Sequence, residues 1–252
     1  GRPFGSFVIP AYTEAAEIGA TLVSLHEAAR AEEATYEIVG VDDASTDDTP
    51  QLMDQLTAEE PRLSYHRHER SRHAGGARNT GIEHARGEFI AFLDDDDIYL
   101  PEKIARQLRL AEQLPEDHGL VYCWMDYYTP DGTMVNTCRP TREANVFADV
   151  IDRQRIGACP TWLLKREAVA SVGGFDEQLP RGNDGDFIRR VCQKWKVTCL
   201  PETLVHVYVD HGHGRISDVN EQGTRNAIMG ESVKLTKFAD ELKVMPQQRA
   251  TI

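Results

Sequence analysis

The sequence predicts an α/β fold built on a parallel sheet, and three observations predict it. Strand-like and helix-like segments alternate through roughly the first 115 residues. Three motifs that carry acidic residues ("PAYTE", "DDAS" and "DDDD") fall where the strands end. Past about residue 117 the alternation weakens without any linker, repeat or low-complexity stretch, so the second half continues the first core.

The elements follow in order. "SFVIP" (Ser6–Pro10) reads as a short buried strand. From Glu14 to about Arg30 the chain is alanine-rich, with Ile18, Leu22 and Leu25 at helical spacing. "YEIVGV" is a strand ending on Asp42 and Asp43. "STDDTPQLMDQL" has capping candidates and a first-turn proline ahead of apolar periodicity, and starts a helix. "RLSYHRH" is a third strand, Gly75 to about Ala85 a helix with a glycine-rich start, and "EFIAFL" the next strand. "PEKIARQLRLAEQL" is a helix with Pro101 near its first turn. "GLVYCWMDYY" and "VTCLPETLVHVYV" read as strands, "KREAVASV" and "GDFIRRVCQKW" as helices, and Asp218 to Val244 as a polar helix over the body.

Composition narrows the function. A net charge of −13 and the absence of any basic run argue against nucleic acid as a partner. No apolar run reaches the roughly 18–20 residues that span a bilayer. The start, "GRPFGSFVIPAY", carries no Met and no signal pattern and reads as trimmed. Five scattered cysteines without a C-x-x-C disfavour a zinc ribbon or redox pair, and the odd count suits a reducing cytosol. The expected location is cytoplasmic, compatible with peripheral association at the inner face of the membrane.

Four consecutive aspartates, Asp94 to Asp97, end an apolar strand in "FIAFLDDDDIYLP". Like charges this close repel, and burying an unpaired carboxylate is costly. Helix capping explains one or two of them, not four. A hard divalent cation, Mn²⁺ or Mg²⁺, prefers carboxylate oxygen and keeps positions open for phosphate. In parallel α/β sheets ligands bind beyond the carboxyl ends of strands, so the three polar motifs should converge. "VDDAST" is equally a cap for the following helix, and "GGARNTG" lacks the order of a phosphate loop.

Together and in this order, "FVIPAYTE", "VDDASTDDT", "GGARNTGIEHARGEFIAFLDDDDIYLPEKI" and "SVGGFDEQLPRGNDGDFIRR" resemble the inverting glycosyltransferases of family 2 with a GT-A fold. The resemblance covers about residues 6–200. It implies a Rossmann-like nucleotide-binding half (1–116) fused to a mixed-sheet acceptor and catalytic half (117–217). With a C-terminal helical segment (218–252), these make a single GT-A domain over 1–252. It places Pro10, Ala11, Tyr12 and Glu14 against the base and ribose of a nucleotide sugar. Thr13 stands where the family usually has Asn. Asp42 matches the aspartate that reads uracil, Arg78 an arginine of the donor pocket, Asp94 and Asp95 residues toward the ribose, and Asp96 the metal ligand. The base falls on Asp184, with Asn183 in place of the usual Glu and Asp186 as rival. Late in the chain, "VYVDHGHGRISD" offers His211 and His213 as further metal ligands and Arg215 as a cover for the diphosphate.

The implied reaction moves one hexosyl or N-acetylhexosaminyl unit from a nucleotide sugar, UDP-linked by preference, to a hydroxyl of a glycan or lipid-linked acceptor. Metal and Arg78 offset charge on the departing diphosphate, and Asp184 takes the acceptor proton. An aspartyl phosphatase would continue "LDDDD" into Thr or Val and Gly, and a nucleotidyltransferase would open with a Lys- and Arg-bearing glycine loop. Neither pattern is present. A non-catalytic sugar-nucleotide-binding module of a glycan assembly protein is the alternative, and Asn183 is the feature that favours it. Processive synthases carry Q-x-x-R-W and membrane helices, and "CQKW" is not that signature.

Overall fold

A computed structural model describes residues 4–13, 15–29, 35–94, 97–151, 156–179, 181–209 and 221–244. Its frame is one mixed sheet. Strands β1 (Gly5–Ala11), β2 (Tyr36–Asp42), β3 (Leu63–Arg67) and β4 (Phe89–Phe92) run parallel in the order β3-β2-β1-β4. The sheet continues through four later strands, β5 (Ile98–Tyr99), β6 (His118–Tyr128), β8 (Trp162–Lys165) and β9 (Lys196–Tyr208), in the order β4-β8-β6-β9-β5. β7 (Met134–Cys138) pairs β6 as a hairpin. β8 enters antiparallel to β4, which turns the parallel half into a mixed half.

The strands alternate side chains between two cores, as a period of two requires. Phe7, Ile9, Phe89 and Ala91 face one core, Val8, Ile90 and Phe92 the other. The first core is covered by α1 (Ile18–Ala29), α2 (Thr49–Glu59) and α4 (Lys103–Ala111) through residues such as Leu22, Met53 and Leu108. The second is covered by α3 (His73–His84), α6 (Arg166–Val172) and α7 (Asn183–Lys194) through Ala77, Val169 and Phe187. Between β7 and β8 lie the short α5 (Phe147–Val150) and a 3-10 turn, Cys159–Thr161. The C-terminal polar stretch forms two helices, α8 (Glu221–Lys237) and α9 (Ala239–Val244), seated by Phe238 and Leu242 on Ile151 and Phe147. Among the described residues no helix is long and apolar enough to cross a membrane.

Two sequence features shape the carboxyl edge of the parallel half. The chain lays β2 and β3 on one side of β1 and β4 on the other, so the order switches between β1 and β4, where ligands enter such sheets. Val8 accepts from Leu93 beyond β4, whereas Ala11 accepts from Asp43 beyond β2. Backbone positions alternate between neighbours, so Pro10 faces the β4 side, two residues past the last β1–β4 pair. Its missing N–H therefore breaks no ladder bond, and the strands part there. Gly81 lets α3 lie close against β1, because a Cβ there would sit 2.1 Å from Val8 Cγ1.

Candidate active site

The loops after β1 and β2 are tied together. Ser45 N–H donates to Asp42 Oδ1 (2.7 Å), and Thr13 N–H donates to Ser45 Oγ (2.9 Å). Asp42 Oδ2 accepts from Tyr65 Oη (2.9 Å) and pairs with Arg67 Nε (3.2 Å). The Asp42 carboxylate is fully buried, while the Arg67 side chain is 49% exposed. Asp43 is buried too, and is a clamp. It takes Ser71 Oγ at 2.6 Å, Arg72 N–H at 2.7 Å and His68 Nδ1 at 2.6 Å. His68 Nε2 reaches Thr80 Oγ1 (2.9 Å), so Asp43 holds α3 in place through His68. Pro10 and Ala11 are buried at the end of β1, and Tyr12 is exposed beyond it.

α3 delivers Arg78, 7% exposed, to the strand edge. Its Nη2 donates to Asp94 Oδ1 at 2.7 Å, and its Nη1 lies 3.4 Å from Asn183 Oδ1. Burial works to neutralise the guanidinium, but the charges of Asp94 and Asp184 outweigh it and hold the arginine above its usual pKa. Arg78 Nε is buried with no hydrogen-bond partner among the described residues. Residues 78, 94, 183 and 184 are thus brought to one place from α3, the end of β4 and the first turn of α7. Cys159, at the turn before β8, joins them. Its thiol is pushed up by burial and by Asp94 and Asp184 against the pull of Arg78, and it stays protonated.

The two α7 aspartates differ in surroundings. Asp186 is 4% exposed. Its Oδ2 accepts from Arg190 Nε (2.9 Å) and Nη2 (2.7 Å), and its Oδ1 accepts from Lys237 Nζ (2.9 Å) on α8. Asp184 is partly exposed, and the bond it accepts among the described residues is from Gly185 N–H, 2.7 Å away. It also lines a cleft of about 270 Å³ with Gly185, Gly230 and Lys234. Glu14, Asp95, Asp96, His211, His213 and Arg215 lie outside the described residues. Among those described, no group of three or more His, Cys, Asp or Glu is placed to hold a metal.

Sequence reasoning passed over Asp43, His68, Cys159 and Lys237. For Cys159 the signal was a proline turn, "CPT", before the apolar run "WLL". Asp43 was visible only as half of a possible cap. Nothing near Lys237 marks it.

The strand order, the acidic edge and the mixed second half define a GT-A fold. The model of Glycosyl transferase family 2 matches residues 6–169, and the chain belongs to that family. An uncharacterized glycosyltransferase of Haemophilus influenzae is 27% identical over 195 residues, covering 75% of this chain and 62% of its own. The putative teichuronic acid biosynthesis glycosyltransferase TuaG of Bacillus subtilis is 26% identical over 171 residues, 68% of this chain and 66% of its own. The chain therefore spans about two thirds or less of the length of these relatives. Among solved structures, S. aureus TarS 1-349 with UDP-GlcNAc superposes at a TM-score of 0.66 and 18% identity, over 95% of this chain and 75% of that one. The mannosyltransferase PcManGT of Pyrobaculum calidifontis, with GDP-Man and Mn2+, superposes at 0.67 and 17% identity, over 99% and 70%.

Proposed function

We propose that the protein is an inverting, metal-dependent glycosyltransferase that moves one sugar from a nucleotide sugar, UDP-linked by preference, to a hydroxyl of a glycan or lipid-linked acceptor. One observation carries this: Arg78, Asp94 and Asp184 meet at the sheet's switch edge, and of the two candidate bases only Asp186 is bound up in ion pairs. TarS solved with UDP-GlcNAc supports a UDP-linked donor, and PcManGT with GDP-Man supports nucleotide sugars more broadly.

In this reading Pro10, Ala11 and Tyr12 flank the base and ribose with Glu14, and Asp94 and Asp95 stand toward the ribose. Arg78 and Arg215 face the diphosphate. Asp42 reads the uracil edge once the half-exposed Arg67 swings aside, because the carboxylate is fully buried and Arg67 is the exposed one of its three donors. Asp184 accepts the proton of an acceptor hydroxyl, whose oxygen attacks the anomeric carbon. The bond to the diphosphate oxygen breaks, its electron pair leaves with the nucleotide, and the carbon inverts.

The donor set at the β4 end suits a hard divalent cation. Asp94 offers carboxylate oxygen at a partly exposed strand end, and Asp95 and Asp96 follow it in the chain. Asp96, with His211 and His213, would hold Mn²⁺ or Mg²⁺, and the bound ion supplies positive charge against the leaving diphosphate. Calorimetry with UDP, with and without Mn²⁺, tests the reading alongside nucleotide release from a panel of UDP-sugars. Mn²⁺-dependent binding and turnover are expected. Equal UDP affinity in EDTA removes the metal, and binding without turnover on any acceptor favours the non-catalytic module.

A further inference from the structure

Two successive residues of α3 reach different places. Arg78 reaches the donor edge, and Asn79 faces the segment that leads into α7. The Asn79 carboxamide meets Phe175 much as one strand meets another. Its Nδ2 donates to the Phe175 carbonyl (2.9 Å), and Phe175 N–H donates to its Oδ1 (2.7 Å). Nδ2 also reaches Glu177 Oε1 (2.9 Å), whose carboxylate pairs with Arg72 nearer the surface. The fit is close. Gly174 has a φ of 79°, and a Cβ there would sit 2.5 Å from Asn79 Oδ1, so the backbone comes this near because it is glycine.

Phe175 passes this hold on to α7. Its ring stacks on Phe187 at 4.2 Å and meets Phe92, at the end of β4, edge-on at 5.3 Å. The Arg78 guanidinium lies over the same ring, 5.5 Å from its centre. Phe187 stands three residues beyond Asp184 on α7, so the two are neighbours on one helix. Arg190 closes the joint from α7, donating to the Val172 (2.6 Å) and Gly174 (2.8 Å) carbonyls. α3 itself is held elsewhere, by the Asp43 clamp and by the close seat of Gly81 on Val8. Removing the Asn79 carboxamide therefore loosens the α7 side and leaves Arg78 in place.

We infer that Asn79 is a positioning residue that sets the separation between the donor arginine and the base. Through Phe175 and Phe187 it fixes where Asp184 stands relative to Arg78. The inference rests on Asp184 being the base. Its consequence is kinetic, because misplacing a reacting group by about 1 Å costs about 10²-fold in rate.

Asn79→Ala tests it. Turnover is read as hydrolysis of UDP-glucose and UDP-N-acetylglucosamine with Mn²⁺, since a general base takes a proton from water as it does from a hydroxyl. The kcat should fall about 10²-fold, with KM for the UDP-sugar and the affinity for UDP within about twofold of wild type. A residue that only stabilised the fold would lower Tm and leave kcat at room temperature unchanged. Hydrogen exchange should rise over residues 173–179 and 183–188 and stay at the wild-type level over 73–84. Glu177→Ala keeps both Phe175 bonds and removes an exposed ion pair of small worth, so its kcat should stay within about threefold of wild type. An unchanged kcat in Asn79→Ala, a parallel loss of UDP affinity, or exchange that spreads through α3 overturns the inference. So does a Glu177→Ala loss as large as that of Asn79→Ala. Asp184→Asn, run alongside, separates this from the base assignment. If it hydrolyses as fast as wild type, the base assignment fails; if it is inactive while Asn79→Ala is not, the positioning role alone fails.

Discussion

The end of β2 and the start of α7 each carry two aspartates, at positions 42 and 43 and at 184 and 186, and the molecule treats the two pairs differently. At β2 both carboxylates are buried and surrounded by donors: Ser45, Tyr65 and Arg67 on Asp42, and His68, Ser71 and Arg72 on Asp43. At α7 the pair divides. Asp186 is enclosed by Arg190 and Lys237, whereas Asp184 faces a cleft and, among the described residues, accepts from its neighbour Gly185. An aspartate-rich motif is therefore not in itself a site. The donors already assembled on each carboxylate separate a clamp from a group with capacity left for a substrate.

The sharpest way to break that comparison is to exchange the α7 pair. Asp184→Asn keeps size but cannot take a proton, so transfer should fall by about 10²–10⁴-fold, the worth of a general base, with UDP affinity unchanged. If Asp186→Asn abolishes transfer in the folded protein and Asp184→Asn does not, the rule fails at its central case. Asp186→Ala, in contrast, should act on stability. Among the described residues it leaves Arg190 with only the Val172 and Gly174 carbonyls as acceptors and Lys237 with only Asp176, and breaking a buried pair costs about 3–5 kcal/mol, eased here to about 2–3 because both cations are partly exposed and keep these partners. Thermal melting should show a drop of roughly 5–10 °C.

The same accounting extends to a cation. Lys103 is fully buried, with one hydrogen bond to Gln107 (2.7 Å), the Tyr99 ring at 3.9 Å, and no carboxylate partner among the described residues. Burial lowers its pKa from 10.5 to about 8. Between those values the unfolded chain holds more protons than the folded one, so this lysine makes stability rise with pH from about 8 to 10.5, by roughly 3 kcal/mol. Chemical denaturation across that window should show Lys103→Met both flattening the rise and raising stability at pH 7. An unchanged pH slope places the Lys103 ammonium in contact with solvent.

Two smaller tests address the β2 end. If Asp42 has room for one more donor, competition against a UDP-sugar should show CDP binding about ten- to a hundred-fold more weakly than UDP, since cytosine has no ring N–H to give and a lost hydrogen bond costs about 1–3 kcal/mol. Equal competition makes Asp42 a clamp like Asp43. The smallest effect is at Thr13, whose φ of 58° is left-handed, unusual for a β-branched residue. Thr13→Asn should raise stability by about 1 kcal/mol in urea, because asparagine tolerates that conformation.

The sequence by itself determined the parallel half. Apolar runs of period two and helices of period 3.6 are local signals, and β1 to β4 with α1 to α4 formed where those signals stood, within a few residues. Helix α4 shows the limit of local reading: it begins at Lys103, and both Pro101 and Glu102, at a φ of 65°, precede it. The four family motifs were likewise local and ordered along the chain, so family membership was legible before any contact was known. The same local signals marked β6, α6, α7 and β9 in the second half, and only the tertiary structure decided the shorter strands and how the site is assembled. β5 has two residues and β8 four, too few for a periodic pattern, and both exist because long neighbours, β9 and β6, offer them edges to pair with. The contrast between Asp184 and Asp186 depends on Lys237, 51 residues further on, and on a cleft wall borrowed from α8. The chemistry of a carboxylate is set by the charges and donors that folding brings to it, and sequence distance carries no record of those.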